Sequence, residues 1–277
     1  MTPPPITLLH GVDIPRIGLG TWPFVGEECQ QIVRTALDLG YRLIDTSHKY
    51  DNEDAVGEAI RRSGIPRDEL FVTSKFNKEN HSVDGVRTAY EESLRRTGLD
   101  YLDLFLIHWP VPALNRYVDA WEGLVALLEA GSVRAIGVSN FKPAHLDRII
   151  AATGYVPDVN QIQLSIDIAR TLPRTAHDNL GITTEAWSPL GRGATLRDNE
   201  QVTAIAHHLG RSPAQVLLRW HVQMGIVPIP RSSNSQQLAQ NLDLFDFELS
   251  PAQMSVLDTL DRGEDAARDS DDPSNGH

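Results

Sequence analysis

The sequence predicts an α/β protein built as a (β/α)8 TIM barrel, with a short N-terminal β-hairpin and a polar C-terminal tail. Three observations predict it. Eight short apolar runs, at 17–19, 42–45, 70–75, 102–107, 133–138, 158–162, 182–187 and 226–229, alternate with helix-period segments along the chain. Within the runs apolar and polar residues do not alternate, which suits strands of a parallel sheet covered on both faces. The length, 277 residues, suits one large barrel, for which about 250 residues are typical. An open doubly wound sheet is the structural rival, because a strand–helix repeat alone allows either.

The elements follow in order. Residues 1–15 read as a hairpin, with apolar segments at 6–9 and 12–15 flanking His10-Gly11. Cys29, Ile32, Val33, Ala36 and Leu37 mark the stripe of one amphipathic helix, and Val83, Val86, Tyr90 and Leu94 that of another. Ser212-Pro213-Ala214-Gln215 and Ser250-Pro251-Ala252-Gln253 each place Ser at an N-cap, Pro at N1 and Gln at N3, which is a capping box. Gly98 and Gly131 stand where left-handed residues would end helices. Residues 261–277 carry six acids, two arginines and no periodicity, so they read as a flexible tail, with folding over the barrel mouth as the alternative. No linker-like or low-complexity stretch divides the rest, and residues 1–277 read as one domain.

Composition narrows the function classes. The chain is 41% hydrophobic and 22% charged, with 25 Lys plus Arg against 37 Asp plus Glu and a net charge of −12. Such a surface repels nucleic acid and anionic membranes, so an anionic ligand needs a local cationic pocket. Cys29 is the single cysteine, which excludes an intramolecular disulfide, a Cys-rich zinc site and a dithiol motif. The N-terminus lacks a basic and then apolar leader, and no apolar run approaches about 18 residues. The expectation is a cytoplasmic protein without a membrane partner. No metal ligand set is read, His207-His208 included.

The informative residues end the apolar runs. Asp45, Lys75, His108 and Ser139-Asn140 end four successive runs, and Gln161, Trp187-Ser188 and Arg231 close the later ones. The first four are spaced roughly 30 residues apart, about one βα unit, which would gather them on the C-terminal rim where barrel enzymes assemble their sites. A strand Lys or Asp is costly if buried unpaired, and tolerable at a rim opposite its counter-charge. Gly18 and Gly20 do not complete a dinucleotide fingerprint, because Thr21-Trp22-Pro23 follows and no third glycine opens a helix.

Asp45-Thr46-Ser47-His48-Lys49-Tyr50-Asp51-Asn52-Glu53, then Lys75, then His108-Trp109-Pro110 resemble the Asp/Tyr/Lys/His tetrad segments of the aldo-keto reductases. Supporting segments are Gly18-Leu19-Gly20-Thr21-Trp22, Ile136-Gly137-Val138-Ser139-Asn140-Phe141, Asn160-Gln161-Ile162 and Trp187-Ser188-Pro189-Leu190-Gly191-Arg192-Gly193. The resemblance runs from Ile6 to Leu260 and is nearest to bacterial members similar to 2,5-diketogluconate reductases. It implies NADPH-dependent reduction of aldehydes, ketones or dicarbonyls by a monomer. The implied catalytic residues are Asp45, Tyr50, Lys75 and His108. The implied cofactor site comprises Thr21, Trp22, Asp45, Ser139, Asn140, Gln161, Trp187, Ser188, Pro189, Leu190, Arg192, Gly193, Ile229, Arg231, Ser232, Gln237, Gln240 and Asn241. Trp22, His48, Tyr50, Phe76, His108 and Trp109 are the expected substrate contacts.

The chemistry agrees with those roles. Carbonyl reduction needs a hydride donor and an acid for the developing alkoxide. A phenol with a pKa of about 10 is a moderate acid, and an adjacent ammonium such as Lys75 is expected to lower it. Asp45 would keep Lys75 charged, and His108 would orient the carbonyl oxygen together with Tyr50. Two departures from the family stand out. Arg231 replaces the usual Lys near the adenosine 2′-phosphate, while Gln237 and Asn234 stand where Arg residues are common, which leaves NADH use open. Gln163 and Ser165-Ile166-Asp167 depart from the familiar sequence of a substrate-side loop. Two other readings compete: a Schiff-base lyase using Lys75, and a nicotinamide-binding sensor or regulatory subunit.

Overall fold

The computed structural model describes residues 4–193 and 195–275; of the expected hairpin and tail segments, residues 1–3 and 276–277 lie outside that range. An antiparallel pair, β1 (Ile6–Thr7) and β2 (Asp13–Ile14), comes first. Eight parallel strands follow: β3 (Leu19–Gly20), β4 (Leu43–Asp45), β5 (Phe71–Phe76), β6 (Leu104–Ile107), β7 (Ala135–Ser139), β8 (Val159–Gln163), β9 (Thr183–Trp187) and β10 (Val227–Pro228). Each pairs with its sequence neighbour. The two ends of the row also meet, since the Gly18 and Gly20 N–H groups donate to the carbonyls of Pro228 and Pro230, both at 3.0 Å. This seam makes a closed (β/α)8 barrel and excludes the open sheet. It also explains the two glycines: a Cβ on Gly18 would lie 2.6 Å from Leu43 Cγ, and one on Gly20 would lie 3.0 Å from the Ile229 carbonyl oxygen.

The helices are α1 (Gly26–Leu39), α2 (Glu53–Ser63), α3 (Val83–Thr97), α4 (Tyr117–Glu129), α5 (Pro143–Thr153), α6 (Thr171–Leu180), α7 (Glu200–Leu209), α8 (Pro213–Gln223), α9 (Ser235–Leu242) and α10 (Pro251–Asp258). Local sequence sets their ends. Both expected capping boxes form, at Ser212 with Gln215 and at Ser250 with Gln253. Gly98 ends α3 in the left-handed region with φ of 62°.

Strand alternation divides the core. Leu43, Phe71, Leu104, Leu106, Ala135, Val159, Val227 and Ile229 fill the lower barrel, and Leu8, Val12 and Ile14 from the hairpin segment floor it. The alternate strand residues, among them Ile44, Val72, Phe76, Phe105, Ile107, Ile136 and Val138, pack outward against α1 to α5. Burial on both faces is why these strands read as unbroken apolar runs.

The tail differs from expectation. Residues 261–275 lie on the barrel's C-terminal end instead of trailing free. Lys142 Nζ contacts Asp269 at 2.6 Å and Asp271 at 2.5 Å, and His145 Nε2 contacts Asp271 at 2.9 Å. Arg170 Nε contacts Glu264 at 2.8 Å, and the Arg268 N–H donates to Gln163 Oε1 at 2.9 Å. The acids that made this stretch look disordered are its attachment points on the rim, to the Lys142 and Arg170 cations and to the His145 imidazole, whose pKa burial lowers. Each exposed pair contributes at most about 1 kcal/mol, so the segment is held by their number.

Close helix approach yields a stability prediction. A Cβ on Gly57 in α2 would lie 1.8 Å from the Thr97 carbonyl oxygen at the end of α3. Backbone atoms cannot swing away, so Gly57→Ala should cost about 3 kcal/mol or more in urea unfolding. A loss below about 1 kcal/mol would show that the α2–α3 contact yields easily.

Candidate active site

Alternation in β5 turns Phe71, Thr73 and Lys75 into the barrel, and alternation in β4 turns Leu43 and Asp45 inward. Lys75 is fully buried, and its Nζ donates to Asp45 Oδ1 at 2.7 Å, to the Thr46 carbonyl at 2.9 Å and to the Tyr50 hydroxyl at 3.3 Å. Tyr50 closes a 3-10 turn at His48–Tyr50, after which Asp51 takes φ of 53°. Asn52 clamps this turn: its Oδ1 accepts from Thr46 Oγ1 at 2.6 Å, and its Nδ2 donates to the Phe24 carbonyl at 2.8 Å. Glu53, the first residue of α2, binds Ser74 Oγ at 2.5 Å and Arg96 Nε at 2.6 Å, anchoring the helix beside Lys75.

His108 follows β6. Its Nδ1 lies 3.2 Å from both Ser47 Oγ and Asn77 Oδ1, and its ring meets Tyr50 edge-on with centroids 5.8 Å apart. Since the Asn77 oxygen only accepts, the proton belongs on Nδ1, and Nε2 donates only in the imidazolium form. Asn140 Nδ2 donates to the His108 carbonyl at 3.0 Å, and Asn140 Oδ1 accepts from Trp187 Nε1 at 2.9 Å. Ser139 Oγ donates to the Gln161 carbonyl at 2.8 Å. Gln161 Nε2 donates to Asp45 Oδ2 at 2.8 Å and to Glu185 Oε2 at 2.6 Å.

The rim backbone is strained. Among the described residues, the non-glycine residues with positive φ are Asp51, Val111, Asn115, Asn140, Arg170 and Ser188, all in loops leaving the C-terminal ends of barrel strands. Each such conformation costs on the order of 1–3 kcal/mol and persists where surrounding contacts over-determine it.

The electrostatics correct one expectation. Burial pushes the Tyr50 phenol up; Lys75 pulls it down, but Asp45 and Glu185 add to the rise, and the net direction is up, not down. Burial also pushes the Asp45 carboxyl up, against the pull of Lys75. Burial draws the Lys75 ammonium down, yet Asp45 and Tyr50 outweigh it and the net direction is up. Burial, with Asp45 adding to it, pushes Glu185 up to about 8, so it carries a proton at neutral pH.

Other expected residues fall as follows. Phe76 is a correction: one residue beyond Lys75, it points outward and packs on Phe105, with centroids 5.1 Å apart, so it cannot line a rim pocket. Trp22 and His48 are exposed, whereas Trp109 is buried. The Arg231 guanidinium lies over the Trp22 ring at 4.9 Å, and Ser232 Oγ donates to Gln237 Oε1 at 2.8 Å. The Arg192 guanidinium lies 5.9 Å above the half-buried Trp187 ring. Thr21 bonds the Asp45 carbonyl, Ile229 joins the lower barrel, Leu190 packs beside α8, and Asn241 is buried against Tyr41. Pro189 is buried on the same rim, and Gly193 and Gln240 lie at least partly exposed on the rim or its flanking helix. Sequence reasoning missed Asn77 and Glu185. Glu185 carried the same signal as Asp45 and Lys75, a charge inside an apolar run.

Residues 16–262 match the model of the aldo/keto reductase family. The chain belongs to that family, and by membership it is an oxidoreductase. It is 46% identical over 260 residues to an aldo-keto reductase of Mycolicibacterium smegmatis, covering 94% of each chain. It is 44% identical to a morphine 6-dehydrogenase of Pseudomonas putida, covering 94% of this chain and 92% of that one. A solved Gox0644 mutant in complex with NADPH superposes with a TM-score of 0.92 at 41% identity, covering 99% of this chain and 98% of that one. Among the described residues no helix is long and apolar enough to cross a membrane.

Glu185 gives the site a pH signature. Its pKa in the fold, about 8, exceeds the ordinary 4.5, so the folded chain binds more protons between those values. Stability present below the lower value is therefore lost as pH rises through the window, by at most about 1.4 kcal/mol per pH unit. In Tm measurements across pH, Glu185→Gln should remove this slope; an unchanged slope would mean that another group causes it.

Proposed function

We propose that this chain reduces small aldehydes, ketones or dicarbonyls with NADPH, and that Tyr50 delivers the proton. The observation that carries the reading is the buried ammonium of Lys75, shared between Asp45 Oδ1 at 2.7 Å and the Tyr50 hydroxyl at 3.3 Å. Bound NADPH supplies a hydride to the carbonyl carbon and leaves oxidised. Tyr50 gives its hydroxyl proton to the carbonyl oxygen as that oxygen takes up the π electrons, and the resulting phenolate rests on Lys75. Asp45 keeps Lys75 charged and aimed. His108, beside Tyr50, orients the carbonyl, donating through Nε2 when protonated.

The rim side chains suit a nicotinamide. Its carboxamide brings two N–H donors. Gln161 has committed Nε2 to Asp45 and Glu185, which leaves Oε1 to accept, and Asn140 Oδ1 keeps a second lone pair beside its bond from Trp187. The half-buried Trp187 offers a ring platform. Arg231, exposed next to Ser232, can fork onto a 2′-phosphate. The NADPH in the similar Gox0644 mutant supports this choice of cofactor. A Schiff-base role for Lys75 is disfavoured, since an ammonium held by three acceptors is a poor nucleophile.

Tyr50→Phe should lower kcat for aldehyde reduction by about 10²- to 10⁴-fold while NADPH affinity, read by fluorescence titration, stays near wild type. Wild-type kcat in that variant would refute the acid assignment. Arg231→Ala should raise KM for NADPH by about tenfold or more and leave KM for NADH little changed. Equal KM values for the two cofactors in the wild type would remove the NADPH preference.

A further inference from the structure

We infer that Glu185 is a positioning residue for the reaction proposed above, its carboxyl fixing the side-chain amide of Gln161 and, through that amide, the carboxylate of Asp45 that holds Lys75. The contacts form one unbroken chain across four strands. Glu185 Oε2 on β9 accepts from Gln161 Nε2 on β8 at 2.6 Å; the same Nε2 donates to Asp45 Oδ2 on β4 at 2.8 Å; and Asp45 Oδ1 accepts from Lys75 Nζ on β5 at 2.7 Å. Glu185 and Gln161 are register partners in the parallel pair, so the first link is built into the sheet.

Packing alone gives no reason for an acid here. Glu185 is fully buried, and its Oε1 has no hydrogen-bond partner among the described residues. An unpaired buried oxygen of this kind costs about 1–3 kcal/mol. Its register partner on β10 is Val227, so that side of the position is apolar and only Gln161 on β8 meets the carboxyl. A carboxyl kept at that cost calls for a functional explanation.

The geometry supplies one. A planar amide whose nitrogen is engaged by two carboxyls cannot flip without setting its oxygen against the Asp45 carboxylate. Glu185 is the second acceptor that locks Gln161, so Gln161 Oε1 stays available to a carboxamide. Charge adds a second effect. The charged and titratable groups facing Glu185 across the barrel are Asp45 from β4, Lys75 from β5 and Tyr50 from the turn after β4; β10 contributes only apolar side chains. With its proton, Glu185 leaves the Asp45–Lys75 pair balanced. Ionised, it adds a negative charge beneath Tyr50 at the step in which Tyr50 becomes a phenolate, and so opposes proton delivery.

The test measures kcat for an aldehyde with NADPH across the neutral and alkaline range in wild type, Glu185→Gln and Glu185→Ala, with thermal unfolding monitored alongside. Glu185→Gln, neutral at every pH, should keep kcat near wild type at neutral pH and lose the part of the alkaline fall that Glu185 causes. Glu185→Ala should lower kcat by about 10- to 100-fold with KM for the aldehyde little moved. An alkaline limb shared by wild type and Glu185→Gln would overturn the inference, and so would an Ala variant of unchanged kcat. If Glu185→Ala does not fold, the Gln profile decides alone. A wild type that binds NADPH without turnover would refute the reductase reading instead. In that case difference infrared spectra carry the test: the protonated-carboxyl band that Glu185→Gln abolishes must shift when NADPH binds, and an unmoved band would overturn the inference.

Discussion

The central constraint is a lysine ammonium buried inside a barrel. Taking such a charge out of water costs several kcal/mol, recovered only if every proton on the nitrogen finds an acceptor and a counter-charge lies at contact. Lys75 meets both conditions, with Asp45, the Thr46 carbonyl and the Tyr50 hydroxyl as its partners. Each partner then needs its own support. Asp45 is tied by Gln161, the turn bearing Tyr50 by Asn52, and the start of α2 by Glu53 with Ser74 and Arg96. Loss of one member leaves a buried polar group elsewhere in the network unpaired, which is why so many unlike side chains are fixed together.

The barrel gives this network its two environments. Below lies a layer of Leu, Val and Phe side chains floored by the hairpin segment, dry and closely packed. Above it Asp45, Lys75, Gln161 and Glu185 face inward, and the connecting loops carry the strained residues. Low polarity beneath and ordered dipoles around strengthen each electrostatic contact. Two buried carboxyls share this space with one ammonium, so one of them keeps its proton. Glu185 does so, while burial, with the Asp45 charge adding to it, makes the phenol of Tyr50 harder to ionise than the Lys75 contact alone would.

Much of this was legible in the sequence. The eight apolar runs, the capping boxes and the C-cap glycine Gly98 each reflect local rules of strand burial and helix termination, and they appear where those rules put them. Asp45, Lys75 and His108 were legible because a charge or imidazole at the end of an apolar run violates the pattern around it. Glu185 broke the same pattern, but a lone acid within a run offers no partner to the eye. Phe76 was misread because spacing along the chain cannot show on which side of the sheet a strand-end residue lies; it is the neighbour of an inward lysine and so must point out. The tail was misread because the same acids that keep a chain solvated when unpaired attach it firmly when Lys142, His145 and Arg170 lie opposite.

By itself, then, the sequence determined the repeating strand–helix units and the identity of the polar residues at their ends, since both follow from local propensity and hydrophobic period. Tertiary structure alone decided that the sheet closes through Gly18 and Gly20, that Glu185 meets Gln161, and that the direction of the Tyr50 shift is upward. Those outcomes depend on distances between residues far apart in the chain and on how much water reaches them, and neither quantity is encoded in any local stretch.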